Sequence, residues 1–342
     1  MLSISNPASL DEHLSRPDAG VLETLQRTDG DFLVAGAGGK MGSSVCRMLR
    51  RTLNTLGRQS TEVYAVSRFS NPQTSAALRQ DGIRTLSCDL LDRQAVASLP
   101  DVSSVIFMAG QKFGTADAPE QTWAVNALLP AFVAERFAST SMVVFSTGCV
   151  YPLTAIAGSG SREDDPLLPP GEYAASCVGR ERMMAYYSQR NRMPALLFRL
   201  CYAVELRYGV LVDIAQRVFS GETVDLRMGW VQIIWQRDAA ARAIRSFDFV
   251  ASPPVALNVT GPERLSVRWL ALQFADRFRK EALFAGNEAD SAWLWDASKA
   301  TQLFGPPETP LVEILDAVAD WILRGGATLG KPTRFEVQDG NY

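Results

Sequence analysis

Histidine and lysine are scarce in this chain of 342 residues, and His13 is the only histidine. The five lysines are Lys40, Lys112, Lys280, Lys299 and Lys331. A single histidine, in an N-terminal segment far from any motif, argues against an imidazole-based metal site and against a Ser-His-Asp triad. We therefore expect no bound metal ion and no serine-hydrolase chemistry.

Paired cysteines, long apolar runs and a large net charge are also missing. The five cysteines, an odd number with no CxxC spacing, favour reduced thiols. No stretch reaches the roughly 18 apolar residues of a membrane span, and the acidic N-terminus does not have the pattern of a signal peptide. The net charge of −3 provides no basic surface for nucleic acid. We expect a cytoplasmic protein that binds neither membranes nor nucleic acid.

What the chain does have is an alternation of short apolar runs and segments with helical spacing, beginning at Asp31. The predicted strands are 32–35, 62–66, 101–108, 141–145, 195–199 and 256–259. The predicted helices are 43–56, 123–138, 172–189, 210–219, 238–247, 267–279 and 311–323. Buried strands that alternate with helices are typical of a parallel sheet covered on both faces. We predict an α/β protein with a Rossmann-type doubly wound sheet.

A glycine-rich turn joins the first strand to the first of these helices. Gly36, Gly39 and Gly42 are spaced as GxxGxxG, with Lys40 and Met41 before the last glycine. A loop without side chains lets a pyrophosphate approach the backbone, and the helix N-terminus that follows favours its negative charge. Glycines also occur in plain turns, but the strand–turn–helix context favours a dinucleotide site.

The residues after the second strand bear on the choice of dinucleotide. Proteins that prefer NAD commonly place an acidic residue there, whereas this chain has Ser67 and Arg68. An arginine at this position can pair with the 2′-phosphate of NADP. The alternative is a solvated loop arginine that would leave NAD equally acceptable. We expect NADP or NAD, with NADP favoured.

Several further motifs follow the glycine loop in a recognisable order. They are Cys88-Asp89-Leu90, Phe107-Met108-Ala109-Gly110, Phe145-Ser-Thr147-Gly-Cys-Val-Tyr151, Asn258-Val-Thr-Gly-Pro-Glu263 and Asp296-Ala-Ser-Lys-Ala300. From about Asp31 to Leu323 the chain resembles the extended short-chain dehydrogenase/reductase family, which contains NAD-dependent epimerases and dehydratases.

The resemblance implies roles for individual residues. Asp89 and Leu90 would lie near the adenine, and Met108, Ala109 and Gly110 would lie beside the cofactor. Three further residues would form the catalytic site: Tyr173 as the acid or base, Thr147 as a hydrogen-bonding group for the same substrate oxygen, and Asn126 as a support. The resemblance also implies a small-molecule, sugar-like substrate and a homodimer through helices 123–138 and 172–189.

The chain departs from the family at the lysine of its YxxxK motif, where Cys177 stands four residues after Tyr173. That lysine supplies a positive charge that lowers the pKa of the tyrosine, and a neutral thiol does not. Cys177 could instead be a nucleophile, although no histidine is near to activate it. Arg180 or Lys112 could replace the lost charge, or each could be an ordinary solvated side chain.

The predicted organisation has four parts. Residues 1–30 form a helical extension in which Ser9 caps a helix, and residues 31–200 form the Rossmann domain. Residues 201–324 form mainly a discontinuous substrate-binding lobe, where Arg199, Arg207 and Arg237 could hold a carboxylate or phosphate or be solvated. Residues 325–342 form an extended tail.

Three functions are compatible with these features. The first is an NAD(P)-dependent oxidoreductase or epimerase acting on a sugar or sugar-acid hydroxyl. The second is a regulatory protein that binds the dinucleotide but is catalytically impaired. The third is non-redox isomerase or lactone chemistry on the same scaffold.

Overall fold

The computed structural model describes residues 4–115 and 117–340. Two short helices come first, α1 (Pro7–Leu14) and α2 (Ala19–Arg27). The N-cap of α1 is Asn6 rather than the predicted Ser9, because the Asn6 side chain accepts the Ser9 N–H at 2.9 Å. The Ser9 hydroxyl oxygen in turn accepts the Asn6 N–H at 3.0 Å, which completes a capping box in the first turn.

The next part of the chain alternates strands and helices. Its elements are β1 (Phe32–Ala35), α3 (Gly42–Thr55), β2 (Val63–Ser67), α4 (Pro72–Gln80), β3 (Arg84–Ser87), α5 (Arg93–Ala97), β4 (Ser104–Phe107), α6 (Pro119–Trp123), α7 (Leu129–Arg136), β5 (Ser141–Thr147), β6 (Thr154–Ala155), α8 (Gly171–Asn191) and β7 (Ala195–Leu200).

The remaining elements are shorter strands and five helices. They are β8 (Ala203–Val204), α9 (Val210–Ser220), β9 (Thr223–Asp225), β10 (Trp230–Val231), β11 (Ile234–Trp235), α10 (Gln236–Arg245), β12 (Val255–Val259), β13 (Leu265–Ser266), α11 (Val267–Phe278), β14 (Leu283–Ala285), β15 (Ser291–Ala292), α12 (Ser298–Phe304) and α13 (Leu311–Leu323). No helix in residues 4–115 or 117–340 is long and apolar enough to cross a membrane.

Seven strands form one parallel sheet in the order β12-β7-β5-β4-β1-β2-β3, which confirms the predicted fold class. In β1 and β4 every residue is buried, because helices cover both faces of the sheet. The chain runs outward from β1 to β3 and then returns to β4 on the other side of β1. This reversal opens a crevice at the carboxyl ends of β1 and β4, where such folds bind ligands.

Several features of this half differ from the sequence prediction, and helices α4 and α5 were not among the predicted helices. The predicted helix 123–138 is interrupted, because Ala124–Leu128 forms a π turn between α6 and α7. The edge strand β3 was not predicted, since its sequence Arg-Thr-Leu-Ser is largely exposed and lacks an apolar run. Propensity and periodicity reveal neither a one-turn change of helix type nor a polar edge strand.

The second half of the chain contributes to both the sheet and a separate packed layer. β12 lies beside β7, with Val255 opposite Leu196, so part of the 201–324 segment belongs to the central sheet. Helices α9, α11 and α13 pack against one another around a second core that contains Trp293 and Trp321. Residues 324–340 contain no helix or strand, yet Phe335 is buried in this same core.

A buried ion pair joins α8 to the sheet. The Glu181 carboxylate on α8 accepts hydrogen bonds from Arg199 on β7 at 2.8 and 3.0 Å and from Ser146 on β5 at 2.6 Å. Arg199 also contacts the hydroxyl of Tyr151, which donates to Asn258 on β12 at 2.9 Å. Arg199 is therefore a structural residue of the core. Arg207 and Arg237 are likewise paired, with Glu205 and Glu308.

We predict that Arg199→Met lowers the free energy of unfolding by about 3–5 kcal/mol, because it leaves the Glu181 carboxylate buried and unpaired. Urea denaturation measures this change. Arg93→Met is the control, since Arg93 and Glu135 form an exposed pair at 2.7 Å whose loss costs less than about 1 kcal/mol. Equal losses in the two variants would contradict the structural role of Arg199.

Candidate functional site

The glycine loop is held tightly between β1, α3 and the end of β4. Gly36 has φ +95°, and a Cβ atom there would lie 2.6 Å from the Ala109 nitrogen. At Gly42 a Cβ atom would lie 2.5 Å from the Cα of Ala37. Glycine is therefore required at both positions by the close approach of backbone to backbone. The result is a loop with little side-chain cover directly before the N-terminus of α3.

Two cavities meet at this loop. The first has a volume of about 370 Å³, and we name it the β2-side cavity. Of the residues expected to bind the cofactor, those that line this cavity are Gly36, Gly39, Ser67, Arg68, Asp89, Leu90, Met108, Ala109 and Gly110. The second, of about 280 Å³, we name the Tyr173 cavity; from the same set it is lined by Gly36, Gly39, Lys40, Met41, Gly42 and Met108. Three residues line both cavities, so the two form a continuous groove across the glycine loop, and this groove fits an extended dinucleotide.

The β2-side cavity lies where an adenosine would bind. Ser67 ends β2, and the exposed Arg68 follows it at the cavity wall. Asp89 lines the same cavity, one strand further out. None of the ion pairs found among residues 4–115 and 117–340 includes Arg68. A bound anion can therefore reach its guanidinium.

Tyr173 and Thr147 come together at the bottom of the second cavity, as the sequence predicted. Thr147 ends β5 and Tyr173 lies in the first turn of α8. Both side chains line the Tyr173 cavity. The Thr147 hydroxyl also accepts the Cys149 N–H at 3.2 Å, which fixes its orientation.

Burial raises the pKa of Tyr173 well above its usual value. The neighbouring thiols Cys177 and Cys149 raise it further, while the positive charge of Arg180 and the hydrogen bond with Thr147 lower it. The Tyr173 hydroxyl is consequently protonated near neutral pH. It can donate a proton to an acceptor in the cavity.

Cys177 lies behind Tyr173 rather than beside the substrate space. Its side chain is fully buried in the core, and within the described chain it is not one of the residues that line the Tyr173 cavity. Burial raises the pKa of the thiol to about 11, so it is neutral near pH 7. Its hydrogen bond with Tyr173 places this neutral group directly against the tyrosine. These features do not suit a nucleophile.

Asn126 lies in the π turn and supports the site from below. Its side chain donates to the Gln111 carbonyl and to the Ser176 hydroxyl, each at 2.9 Å, and accepts the Gln111 N–H at 2.9 Å. It also accepts from Arg180 at 2.8 Å. Asn126 is completely buried, so it connects the loop after β4 to α8 and does not face the cavity.

Two of the five lysines line the Tyr173 cavity. The Lys40 amine donates to the Ala203 carbonyl at 2.9 Å and lies 4.1 Å from the centre of the Tyr208 ring. Lys112, in the loop after β4, donates to the Thr333 carbonyl at 3.3 Å. Burial lowers the pKa of Lys112, and it lowers that of Lys40 to about 7. An anion in the cavity would favour the charged form of both amines.

Most residues of the cavity wall opposite the glycine loop were not predicted from the sequence. Tyr202, Tyr208, Trp295 and Thr333 line the Tyr173 cavity from the second half of the chain. The Thr333 N–H and hydroxyl hold the tail in place by donating to Asp213 at 2.7 and 2.6 Å. These contacts join residues 120 positions apart, so no local sequence pattern predicts them.

Several solved structures that are similar to this chain are sugar-nucleotide enzymes. A UDP-glucuronic acid 4-epimerase from Bacillus cereus, solved with UDP-glucuronic acid and NAD, has a TM-score of 0.70 at 17% identity, covering 86% of this chain and 99% of that one. A UDP-glucose 4-epimerase from Thermus thermophilus, solved with NAD, has a TM-score of 0.68 at 19% identity, covering 85% and 98%. A dTDP-glucose 4,6-dehydratase from Streptomyces venezuelae has a TM-score of 0.71 at 17% identity, covering 86% and 97%.

At these identities the solved structures establish the fold. Comparison with curated protein sequences found no match. Residues 32–204, half of the chain, match the NAD dependent epimerase/dehydratase family, and the matched segment contains the glycine loop, Thr147 and Tyr173. The chain therefore belongs to the NAD-dependent epimerase/dehydratase family of enzymes.

Proposed function

We propose that the protein is an NAD(P)-dependent oxidoreductase or epimerase that acts on a hydroxyl group of a sugar or sugar acid. The observation that carries this proposal is the position of the Tyr173–Thr147 pair. It lies in a cavity that shares Gly36, Gly39 and Met108 with the β2-side cavity on the other side of the glycine loop. A proton-transfer group and a dinucleotide site thus share one groove.

The chain's own residues account for holding the dinucleotide. The glycine loop and the N-terminus of α3 would bind the pyrophosphate. Ser67, Arg68 and Asp89 would bind the adenosine end, and Met108 would pack beside the part that enters the Tyr173 cavity. The nicotinamide, when bound, accepts or donates a hydride.

Tyr173 moves the proton in this proposal. Because its hydroxyl is protonated at neutral pH, it can donate a proton to the carbonyl oxygen of a substrate, and in the opposite direction its phenolate accepts the hydroxyl proton. Thr147 hydrogen-bonds the same substrate oxygen and keeps it within reach of Tyr173. Trp295 and Tyr202 form part of the same cavity wall.

Two observations support a sugar-like substrate: the similar solved structures and the lysines of the Tyr173 cavity. The similar structures include an epimerase bound to UDP-glucuronic acid, a UDP-glucose 4-epimerase and a dTDP-glucose 4,6-dehydratase. Lys40 and Lys112 give the Tyr173 cavity two amines that suit an anionic ligand.

A specific observation favours the second candidate, a dinucleotide-binding protein with impaired catalysis. Cys177 places a neutral thiol against Tyr173 where the family has a lysine, and the pKa of Tyr173 is raised. The two candidates differ in turnover and not in dinucleotide binding.

We also propose a homodimer through α6, α7 and α8. Large apolar side chains are exposed on or beside these helices, namely Trp123, Leu128, Met183 and Tyr186. Exposed apolar groups of this size are typical of protein interfaces. Sedimentation equilibrium distinguishes the dimer from a monomer.

We predict that Tyr173→Phe lowers turnover about 10²–10⁴-fold, because the variant keeps the ring but has no proton to transfer. The assay follows conversion of UDP-glucose, UDP-glucuronic acid and dTDP-glucose by chromatography, with NAD or NADP present. Absorbance of reduced nicotinamide is recorded as well and detects net oxidation, because an epimerase returns its hydride and leaves no net reduced cofactor. Tyr186→Phe is the control, since Tyr186 lies on the same helix and is exposed. Turnover that survives Tyr173→Phe would remove Tyr173 from the mechanism, and no turnover by the wild type would favour the impaired protein.

The preference for NADP is proposed from Arg68, and Arg68→Ala tests it. We expect the NADP dissociation constant to rise roughly tenfold or more, since a hydrogen bond to a charged group contributes about 1.5–3 kcal/mol, while the NAD constant changes little. Isothermal titration calorimetry measures both constants. Arg79→Ala on α4 is the control, because Arg79 does not line the β2-side cavity. Equal effects of Arg68→Ala on the two dinucleotides would contradict the preference.

A further inference from the structure

Arg180 lies on α8, seven residues after Tyr173 and therefore on the same face of the helix two turns later. Its side chain is almost completely buried, with 5% exposed. The guanidinium donates to the Phe145 carbonyl at 2.8 Å, to the Asn126 carbonyl at 3.3 Å and to the Asn126 side-chain oxygen at 2.8 Å. All three acceptors are neutral groups.

The carboxylate next to Arg180 in the chain does not pair with its guanidinium. The adjacent Glu181 is committed to Arg199, which it binds at 2.8 Å. Among the ion pairs of residues 4–115 and 117–340, none includes Arg180. A buried charge without a carboxylate partner is costly and persists only when surrounding groups hold it in place. Three hydrogen bonds hold this one.

The fold makes room for this cation at the carboxyl ends of β4 and β5. A Cβ atom at Gly110 would lie 2.6 Å from a terminal nitrogen of Arg180 and 3.3 Å from the Asn126 side-chain oxygen. Glycine at position 110 therefore leaves space for the guanidinium beneath the loop that follows β4. Gly110 also lines the β2-side cavity, so the guanidinium lies directly behind one residue of the cavity wall.

The titratable groups that face Tyr173 come from two elements. Cys177 and Arg180 lie on α8, and Cys149 follows β5. Lys112, across the cavity, interacts with Cys149. Among the described groups with the largest influence on the pKa of Tyr173, Arg180 carries a positive charge and lowers that pKa. Arg180 also lowers the pKa of Cys177.

We propose that Arg180 is a positioning residue that supplies Tyr173 with the fixed positive charge which a lysine at position 177 would otherwise supply. The proposal rests on the proposed function, in which Tyr173 exchanges a proton with the substrate oxygen. Arg180 does not lose its own proton, because a guanidinium stays charged at all relevant pH values. It acts by stabilising the phenolate that remains after Tyr173 has given its proton to the substrate.

The test measures the ionisation of Tyr173 without any substrate. Tyrosines are replaced biosynthetically by 3,5-difluorotyrosine, whose more acidic phenol brings ionisation into a pH range that the protein tolerates. Fluorine NMR then follows each residue, and Tyr173→Phe assigns the resonance of residue 173. The variants are Arg180→Gln, Arg180→Lys and the double variant Arg180→Gln/Cys177→Lys.

We expect Arg180→Gln to raise the pH midpoint of residue 173 by about one pH unit, a tenfold loss of acidity. Arg180→Lys should keep the midpoint close to that of the wild type, and Cys177→Lys should restore it in the Arg180→Gln background. A purely structural arginine would lose its guanidinium hydrogen bonds in Arg180→Lys as well, and the midpoint would then shift in both single variants. An unchanged midpoint in folded Arg180→Gln, or the absence of rescue in the double variant, would overturn the proposal.

A second variant covers the case in which Arg180→Gln does not fold. Gly110→Ala displaces the guanidinium and leaves Arg180 in the chain, so the midpoint should again rise, and an unchanged midpoint would overturn the proposal. The readout is independent of turnover. If Tyr173→Phe retained activity, the proposed function would fail while the effect of Arg180 on this midpoint remained measurable.

Discussion

The close contact between the glycine loop and the end of β4 is the constraint on which the site depends. Gly36 approaches the backbone of Ala109 so closely that no side chain fits between them. This contact lies at the reversal of strand order between β1 and β4, where the crevice opens. It brings the loop, the N-terminus of α3 and the β4 end into one groove, and β5 and α8 add Thr147 and Tyr173 beside it. A larger residue at position 36 would separate these elements.

The charges around Tyr173 follow from how this groove is built. The tyrosine lies in the first turn of α8 with a neutral thiol behind it, and burial favours its protonated form. The positive charges are distributed over different elements: Arg180 lies under the β4 end, and Lys40 and Lys112 line the cavity. A site that has lost one cation at position 177 therefore still contains several others.

The sequence predicted the sheet and the groove because both depend on local patterns. Apolar runs predicted β1, β4, β5 and β7, and the glycine spacing predicted the loop. It did not reveal the burial of Arg180, which looks like any arginine on a helix, since its acceptors come from Phe145 and Asn126. Thr333 was missed for the same reason, because the tail reaches the cavity only through contacts made in the folded chain. Local pattern identifies elements, whereas long-range packing decides which polar side chains meet.

Thermal unfolding with NAD, NADP and their reduced forms tests most directly whether the groove binds a nicotinamide dinucleotide. At one hundred times the dissociation constant a ligand stabilises the native state by about 2.7 kcal/mol, so we predict a clear rise in Tm, larger with NADP at equal concentration. Gly39→Asp should abolish the rise, because a carboxylate would repel the pyrophosphate at a site where the nearest atom to an added Cβ is the Gly36 oxygen at 3.3 Å. Gly158→Asp is the control, because Gly158 lies outside the groove and an added Cβ atom there would lie 3.2 Å from the Ala155 oxygen. This variant should retain the rise in Tm. No rise in the wild type with any of the four dinucleotides would contradict the account.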